Sequence, residues 1–513
     1  MGAPRPARVV AAMAVAAFLC GCGEAPDDSR VLNLALKTAP NRLDPAFVVD
    51  VSEGELCALL FQGLVRFSTG GELIPAAARS WNVDEDGRRY TFHLDTRMKF
   101  SDGKSVRADD VVYSFTRVLS RSTLSPRRWV LDRIRGADMA AGDSPLGIHA
   151  SDDSTVVIEL TEPFAPFLSM LAMPAAMIVS ERGTGEIPAG SGPWQLSRWE
   201  RADFVSLVPN PYHPARSAQL DEIRFRIIPE AFTRVAEFES GSLDILEVPL
   251  AEVRYFVDDE YYSTLLQSRS ELRVYYVGLN NTHDILGDVR VRRALNMAVD
   301  VERLITVLAG GEGVRATGSV PPGLPGYRPR PAYPYDPGAA RALLAQAGYP
   351  EGFAMEIWQR DSPEGNRLLE AIQGYLREVG VNVTLVRREW SAFKEAVGAG
   401  RVDAFFLDWF ADYPDAENFL FPLFHSSNTG GGGNRVSFLD RRVDDLIEGA
   451  SRSMDPGVSA ILYARADSAV YAQAPWIYLY FPRSYHAISQ RVRGYQLPTL
   501  YLGGDYGNVS KVN

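Results

Sequence analysis

Between residues 336 and 409 the apolar residues change their period several times, and this limits the fold more than any other feature of the chain. Asp336-Pro337 precedes AARALLAQA and Gly348 follows it, which places an N-cap, a first-turn proline and a C-terminal glycine where a helix needs them. Leu368, Ile372 and Leu376 then step by four residues, and Val381, Val383 and Leu385 step by two, so a helix delivers the chain into a strand. A helix-like stretch from Ser391 to Val397 precedes a strand candidate from Asp403 to Trp409. Helix alternating with strand points to an α/β lobe around a mixed or parallel sheet.

The rest of the chain carries weaker signals of the same kind. Val31 to Leu36 reads as a short strand, Tyr90 to Leu94 alternates with period two, and residues 220–228 set Ile223, Phe225 and Ile227 against Arg224 and Arg226. Asp109 or Asp110 is placed to cap a helix whose apolar residues are Val111, Val112, Phe115, Val118 and Leu119. Asp288 stands before VRVRRALNMAV, whose apolar stripe is Val291, Leu295, Ala298 and Val299. A length of 513 residues implies about three domains.

The N-terminus reads as an export signal. Arg5 and Arg8 precede twelve apolar residues, Val9 to Cys20, too short a run to cross a hydrocarbon core about 30 Å thick. It ends in Leu19-Cys20-Gly21-Cys22, which resembles a bacterial lipobox, with Cys22 as the lipidated first mature residue. An ordinary secretory signal is the competing reading. Residues 22–30 are polar and aperiodic, the composition of a tether. Loss of residues 1–21 would take the net charge from −11 to −13, and only Cys57 would remain as a free thiol in the mature fold. This acidity argues against a partner bound through its phosphates, so nucleic acid is not expected.

Enzyme signatures fail on inspection. Ser101-Asp102-Gly103-Lys104 fits S-x-x-K but reads as a turn, without the companion elements of a β-lactamase set. Gly103-Lys104-Ser105 ends like a phosphate loop, yet Met98 occupies the position of its first glycine. The six histidines are scattered, so no metal site and no cofactor is expected. Gly430 to Gly433 reads as a flexible loop.

Five segments together resemble the extracytoplasmic solute-binding proteins of ABC importers, in particular the oligopeptide/dipeptide-binding family, solute-binding protein family 5. They are LDPAFVVDVSEGELCALLFQGLV (43–65), SWNVDEDGRRYTFHLDTRMKFSDGKSVRADDVVYSFTRVL (80–119), GSGPWQL (190–196), LNNTHDILGDVRVRRALNMAVD (279–300) and DWFADYPDAENFL (408–420), in order over nearly the whole mature chain. The resemblance implies an α/β, two-lobed periplasmic-binding-protein-like fold of class II with an additional smaller domain. Lobe one would combine 31–75, 190–276 and 486–513, with 76–189 as the extra domain and 277–485 as lobe two. The chain would cross between lobes near Tyr276-Val277-Gly278 and again from Pro482 to Tyr485. It further implies a non-enzymatic monomer, held at the membrane by its lipid, that closes over a peptide and passes it to separate ABC permease and ATPase chains.

The same resemblance nominates the site. Asp412, in Trp409-Phe410-Ala411-Asp412-Tyr413, matches the family aspartate that pairs with a peptide's α-amino group; the plainer reading is a turn cap beside Pro414. Trp409, Phe410 and Tyr413 would line side-chain pockets, with ordinary core packing as the alternative for Trp409 and Phe410. Val48 to Val51, including Val49 and Val51, would pair backbone to backbone with the ligand or else form a buried strand. Arg360 matches an arginine of dipeptide-binding members that takes the ligand carboxylate, and a solvated loop arginine is its alternative. Phe406 stands where some oligopeptide binders have an arginine, so that second anchor is missing and ligand length stays open. A non-peptide solute such as a nickel complex or an oligosaccharide is the competing cargo, and a secreted hydrolase the competing class.

Overall fold

The computed structural model describes residues 30–139, 146–181, 187–215, 219–308, 310–311, 313–360 and 363–512. The export signal, Cys20, Cys22 and most of the tether lie outside the described residues.

Three sheets organise the chain. The first has the order Val31–Leu36, Glu222–Ile227, Phe204–Pro209 and Trp194–Glu200. Its first pair is parallel and the others antiparallel. The inward residues Leu32, Leu34, Ile223 and Phe225 pack on Leu56, Cys57 and Leu60 of the helix Val51–Leu60. Asp50 caps this helix by accepting from Ser52 N at 2.8 Å. The glycines of GSGPWQL have a steric reason. A Cβ on Gly190 or Gly192 would stand 2.0 or 2.1 Å from the carbonyl oxygens of Leu60 and Leu59, where the chain runs against the helix end.

The second sheet is antiparallel throughout, in the order Ala78–Val83, Arg89–Leu94, Thr155–Glu159 and Ile148–Asp152. Tyr90, Phe92 and Leu94 face inward as their alternation requires. The helix Ala108–Leu119 covers them with Val111, Phe115 and Val118. Truncating the fully buried Phe115 would cost about 3–5 kcal/mol. The expected cap is corrected here: the N-cap is Arg107, and Asp110 lies inside the first turn, accepting from Arg107 N at 2.9 Å. An acid there meets the same unpaired donors, so its side chain reaches back instead of opening the helix.

The largest sheet runs Ile245–Glu247, Trp476–Ile488, Arg273–Leu279, Ala404–Phe410, Phe353–Arg360 and Val381–Arg388. Phe353–Arg360 pairs in parallel with both its neighbours, the signature expected from the alternating periods. The helices Val289–Ala298, Pro337–Gln346 and Pro363–Glu378 supply the core beside it. Asp288 and Asp336 cap the first two as expected. Trp476–Ile488 is shared: residues 476–482 pair with Arg273–Leu279 and Gly313–Arg315, and residues 483–488 with Leu266–Ser270 and Ile245–Glu247.

The second sheet's domain joins both of its neighbours. Its Arg117 forms a two-pronged ion pair with Asp44 of the LDP segment, and its Ser125 hydroxyl donates to Ala46 O at 2.6 Å. On the other side, Ala165 N donates to Ser451 O at 2.7 Å and Arg452 pairs with Glu162 at 3.0 Å. The hydrophobic core is continuous there, from Phe164 and Met170 to the helices Glu417–Phe424, Arg441–Arg452 and Pro456–Ala472. Ser101–Lys104 is a turn, closed by an Asp102–Lys104 pair at 2.8 Å. Gly430–Gly432 winds into a short 3-10 turn, where composition suggested a loop without regular structure.

Candidate ligand-binding site

Ala404–Phe410 ends in an irregular turn, and two cavities open on either side of that end. Alternation along the strand sends Trp409 to one side and Phe410 to the other. The turn is held by Asn418, which accepts from Asp412 N at 2.9 Å through its side chain and from Trp409 Nε1 at 2.8 Å through its carbonyl. Asp412 and Tyr413 therefore stand on the same side as Trp409.

The first cavity, about 400 Å³, lies between residues 127–170, which belong with the second sheet, and residues 409–428, which follow the end of Ala404–Phe410. Arg127, Trp129, Arg133, Phe164 and Met170 form one wall; Trp409, Asp412, Tyr413, Glu417 and Phe421 form the other. Burial pushes the Asp412 carboxyl up from the usual carboxylate range, and the Arg127 guanidinium, 3.6 Å away, pulls it part of the way back. Burial also lifts Asp415 to about 6, against the Glu417 N–H it accepts. Glu417 is pushed up to about 7, by burial first; the Tyr413 hydroxyl donates to it and opposes the rise, and Asp415 adds to it. Tyr413 is 1% exposed and tied to Glu417, so it closes the floor of the cavity.

The second cavity, about 370 Å³, lies between the strand Val31–Leu36 with the helix Val51–Leu60 and the strands of the largest sheet. Leu34–Thr38, Asp50–Ser52, Glu55, Glu247, Arg269, Glu271, Arg273, Phe410, His486 and Tyr501 are among its walls. Burial would raise Glu247, but Lys37 at 2.7 Å and His486 outweigh it and hold the carboxylate at about 2. Glu55 is pushed up to about 7 by burial and then by Glu247. Burial pulls His486 down to about 4. Arg273 pairs with Glu271 at 3.1 Å and with Asp408 at 3.7 Å. Phe410 approaches Tyr501 with ring centres 6.1 Å apart.

The chain is matched from residue 72 to 431 by the family model for bacterial extracellular solute-binding proteins, family 5 Middle. It belongs to that family. Among its relatives, the dipeptide-binding protein of Escherichia coli is 31% identical over 86% of this chain and 87% of its own length. Heme-binding protein A of Haemophilus influenzae is 30% identical over 89% of this chain and 88% of its own. Of solved structures, HbpA2 from Haemophilus parasuis aligns with a TM-score of 0.82 at 28% identity, over 94% of this chain and all of the other. DppA from Helicobacter pylori, in complex with the peptide STSA, aligns with a TM-score of 0.77 at 27% identity, over 94% and 98%. As a family 5 member the chain is a non-enzymatic, extracytoplasmic solute-binding protein with the class II fold of those structures. No helix among the described residues is long and apolar enough to cross a membrane.

The nominated residues divide accordingly. Trp409, Asp412 and Tyr413 share the first cavity, and Phe410 and Val51 face the second. The backbone is extended at Val48 and Asp50, but Val51 opens a helix, so the extended stretch is shorter than the sequence suggested. Asp50 ends it by supplying the cap. Val49 is exposed and lines neither cavity. Arg360, also exposed and outside both cavities, lies over the Trp390 ring at 5.8 Å. Phe406 stacks on Tyr275 with centroids 6.0 Å apart. Sequence reasoning missed Arg127, Trp129 and Arg133 altogether. Their only mark is the basic and aromatic run Arg127-Arg128-Trp129, which has no periodicity.

Proposed function

We propose that this protein captures short peptides in the cleft around Asp412 and passes them to an ABC importer. The observation that carries this reading is a half-buried acidic side chain on a turn held by Asn418, set in an aromatic wall and facing a cavity. An α-ammonium meeting that carboxylate forms a charge-assisted hydrogen bond shielded from water. The lobes would divide near residues 276–278 and 482–485, where the shared strand Trp476–Ile488 can act as the hinge. Cys22 would carry the lipid that keeps the protein at the membrane, and a Cys22→Ser variant should then partition into the aqueous phase of a detergent extraction.

The E. coli relative and the STSA complex favour peptide; the Haemophilus influenzae relative makes haem the other cargo to test. Thermal melting with a dipeptide, a tetrapeptide and haemin separates them. A ligand present at about 100 times its Kd adds about 2.7 kcal/mol to stability. The expected result is stabilisation by the free-amine peptides. Stabilisation by haemin alone would overturn the peptide reading.

A further inference from the structure

We infer that Arg127 is a specificity-determining residue: an internal counter-ion to Asp412 that lets the cleft close on solutes with a blocked or absent ammonium. The inference rests on the proposed function for the identity of the site and goes beyond it on what the site demands of its ligand. A lone carboxylate sealed in a cleft is costly, so a site built on one would select strictly for a cationic ligand end. Asp412 is not in that position. The guanidinium of Arg127 stands 3.6 Å from its carboxylate, just beyond direct hydrogen-bond reach, and both side chains line the same cavity.

Arg127 is itself fixed from three directions. Its Nε donates to Val48 O at 3.1 Å, its guanidinium lies 6.0 Å from the centre of the Trp129 ring, and its backbone N–H donates to Ser125 Oγ at 3.2 Å. The same segment is bound to the first lobe by the Ser125–Ala46 bond and, upstream, by the Arg117–Asp44 pair. Arg127 therefore belongs to the extra domain, holds a carbonyl of the first lobe and faces the acid of the second. The other charged groups around the cavity are Asp132, Arg133 and Glu417. Arg133 is taken up by Glu162 at 3.1 Å and by the Phe164 ring. Among the described residues Arg127 is the cation paired with Asp412.

The consequence for ligand choice is electrostatic. An incoming ammonium meets a carboxylate whose charge is already partly balanced, and it approaches a guanidinium that repels it. The gain from the ammonium shrinks, and so does the loss when it is absent. Asp412 keeps acceptor capacity toward the cavity, so the free amine is still preferred, by a smaller factor than a lone acid would impose.

The test compares Ala-Phe with N-acetyl-Ala-Phe by isothermal titration calorimetry on the full chain, as wild type, Arg127→Gln and Arg127→Lys. In the wild type the two affinities should lie within about tenfold of each other. In Arg127→Gln the preference for the free amine should grow by at least about tenfold, and Arg127→Lys, which keeps the charge, should restore the wild-type ratio. An unchanged ratio in Arg127→Gln overturns the inference. If neither peptide binds any of the three proteins, the peptide reading falls by itself. The carboxyl titration of Asp412, followed by NMR in the ligand-free proteins, then decides on Arg127: a higher pKa in Arg127→Gln than in the wild type supports the counter-ion role, and no change overturns it.

Discussion

The two cavities flank one strand end and are similar in volume, yet the charges around them are balanced differently. Around the first, Asp412, Asp415 and Glu417 are all raised, because aromatic walls remove water and few cations replace it. Around the second, Lys37 and His486 hold the partly open Glu247 down, Arg273 has Glu271 and Asp408 beside it, and Glu55 is raised by burial. A cavity that balances its own charges gains little from a charged ligand group. One whose acids are strained by burial gains much from any donor that reaches them. On the proposed reading the charged end of a ligand goes to the first cavity, where Arg127 moderates the demand.

Replacing Asp412 should break this contrast most severely. Asp412→Asn leaves Arg127 as an unbalanced cation beside the ligand ammonium, and removing one partner of this half-buried charge pair should cost about 2–3 kcal/mol of binding. Calorimetry should show the affinity for a free-amine dipeptide falling roughly 100-fold.

Next in size is a pH effect on the unliganded protein. Glu417 is 3% exposed, and its folded pKa of about 7 lies above its unfolded value. Between the two values the folded state keeps a proton that the unfolded state has released, so stability falls as pH rises through this window. Glu417→Gln should therefore be more stable than wild type at pH 7.5, by roughly 2–3 kcal/mol, and nearly equal to it at pH 4.5. Melting curves at the two pH values check this.

The opposite sign holds for Glu247 in the second cavity. Glu247 is depressed to about 2, so its contribution is present above the ordinary carboxylate range and is lost as pH falls through about 2. Lys37→Ala should destabilise the protein by about 1 kcal/mol at pH 7, since both partners are partly open to solvent, and should make no difference near pH 2. Denaturant unfolding at both pH values reads it out.

The smallest effect is expected at Arg360. It lies outside both cavities, so Arg360→Ala should leave dipeptide affinity within about twofold by calorimetry. A loss of about tenfold or more would instead place the ligand carboxylate on that arginine.

What could be read in advance follows the range of the forces involved. The helices capped by Asp288 and Asp336, and the step from Leu376 to Val381, are local: caps and periods of a few residues specify them. Asp412 could be nominated because it is embedded in the segment 408–420, and the structure places it on a cavity wall. Arg127 was not, because it lies beside an irregular 3-10 stretch and acquires its meaning only from Val48 and Asp412, which are distant in sequence. The split between Trp409 and Phe410 was available from strand alternation alone. Val51 was misjudged because Asp50, three residues after Phe47, turns an extended run into a helix cap. The continuity of the core from Phe164 to Phe421 leaves no periodic trace, since it joins two domains remote in sequence.

The most direct test is a crystal structure of the protein loaded with a free-amine dipeptide. The α-ammonium nitrogen should lie within about 3.2 Å of an Asp412 carboxylate oxygen, with Arg127 still facing the same side chain. A dipeptide bound elsewhere in the cleft, with its ammonium paired to another acid, would contradict it.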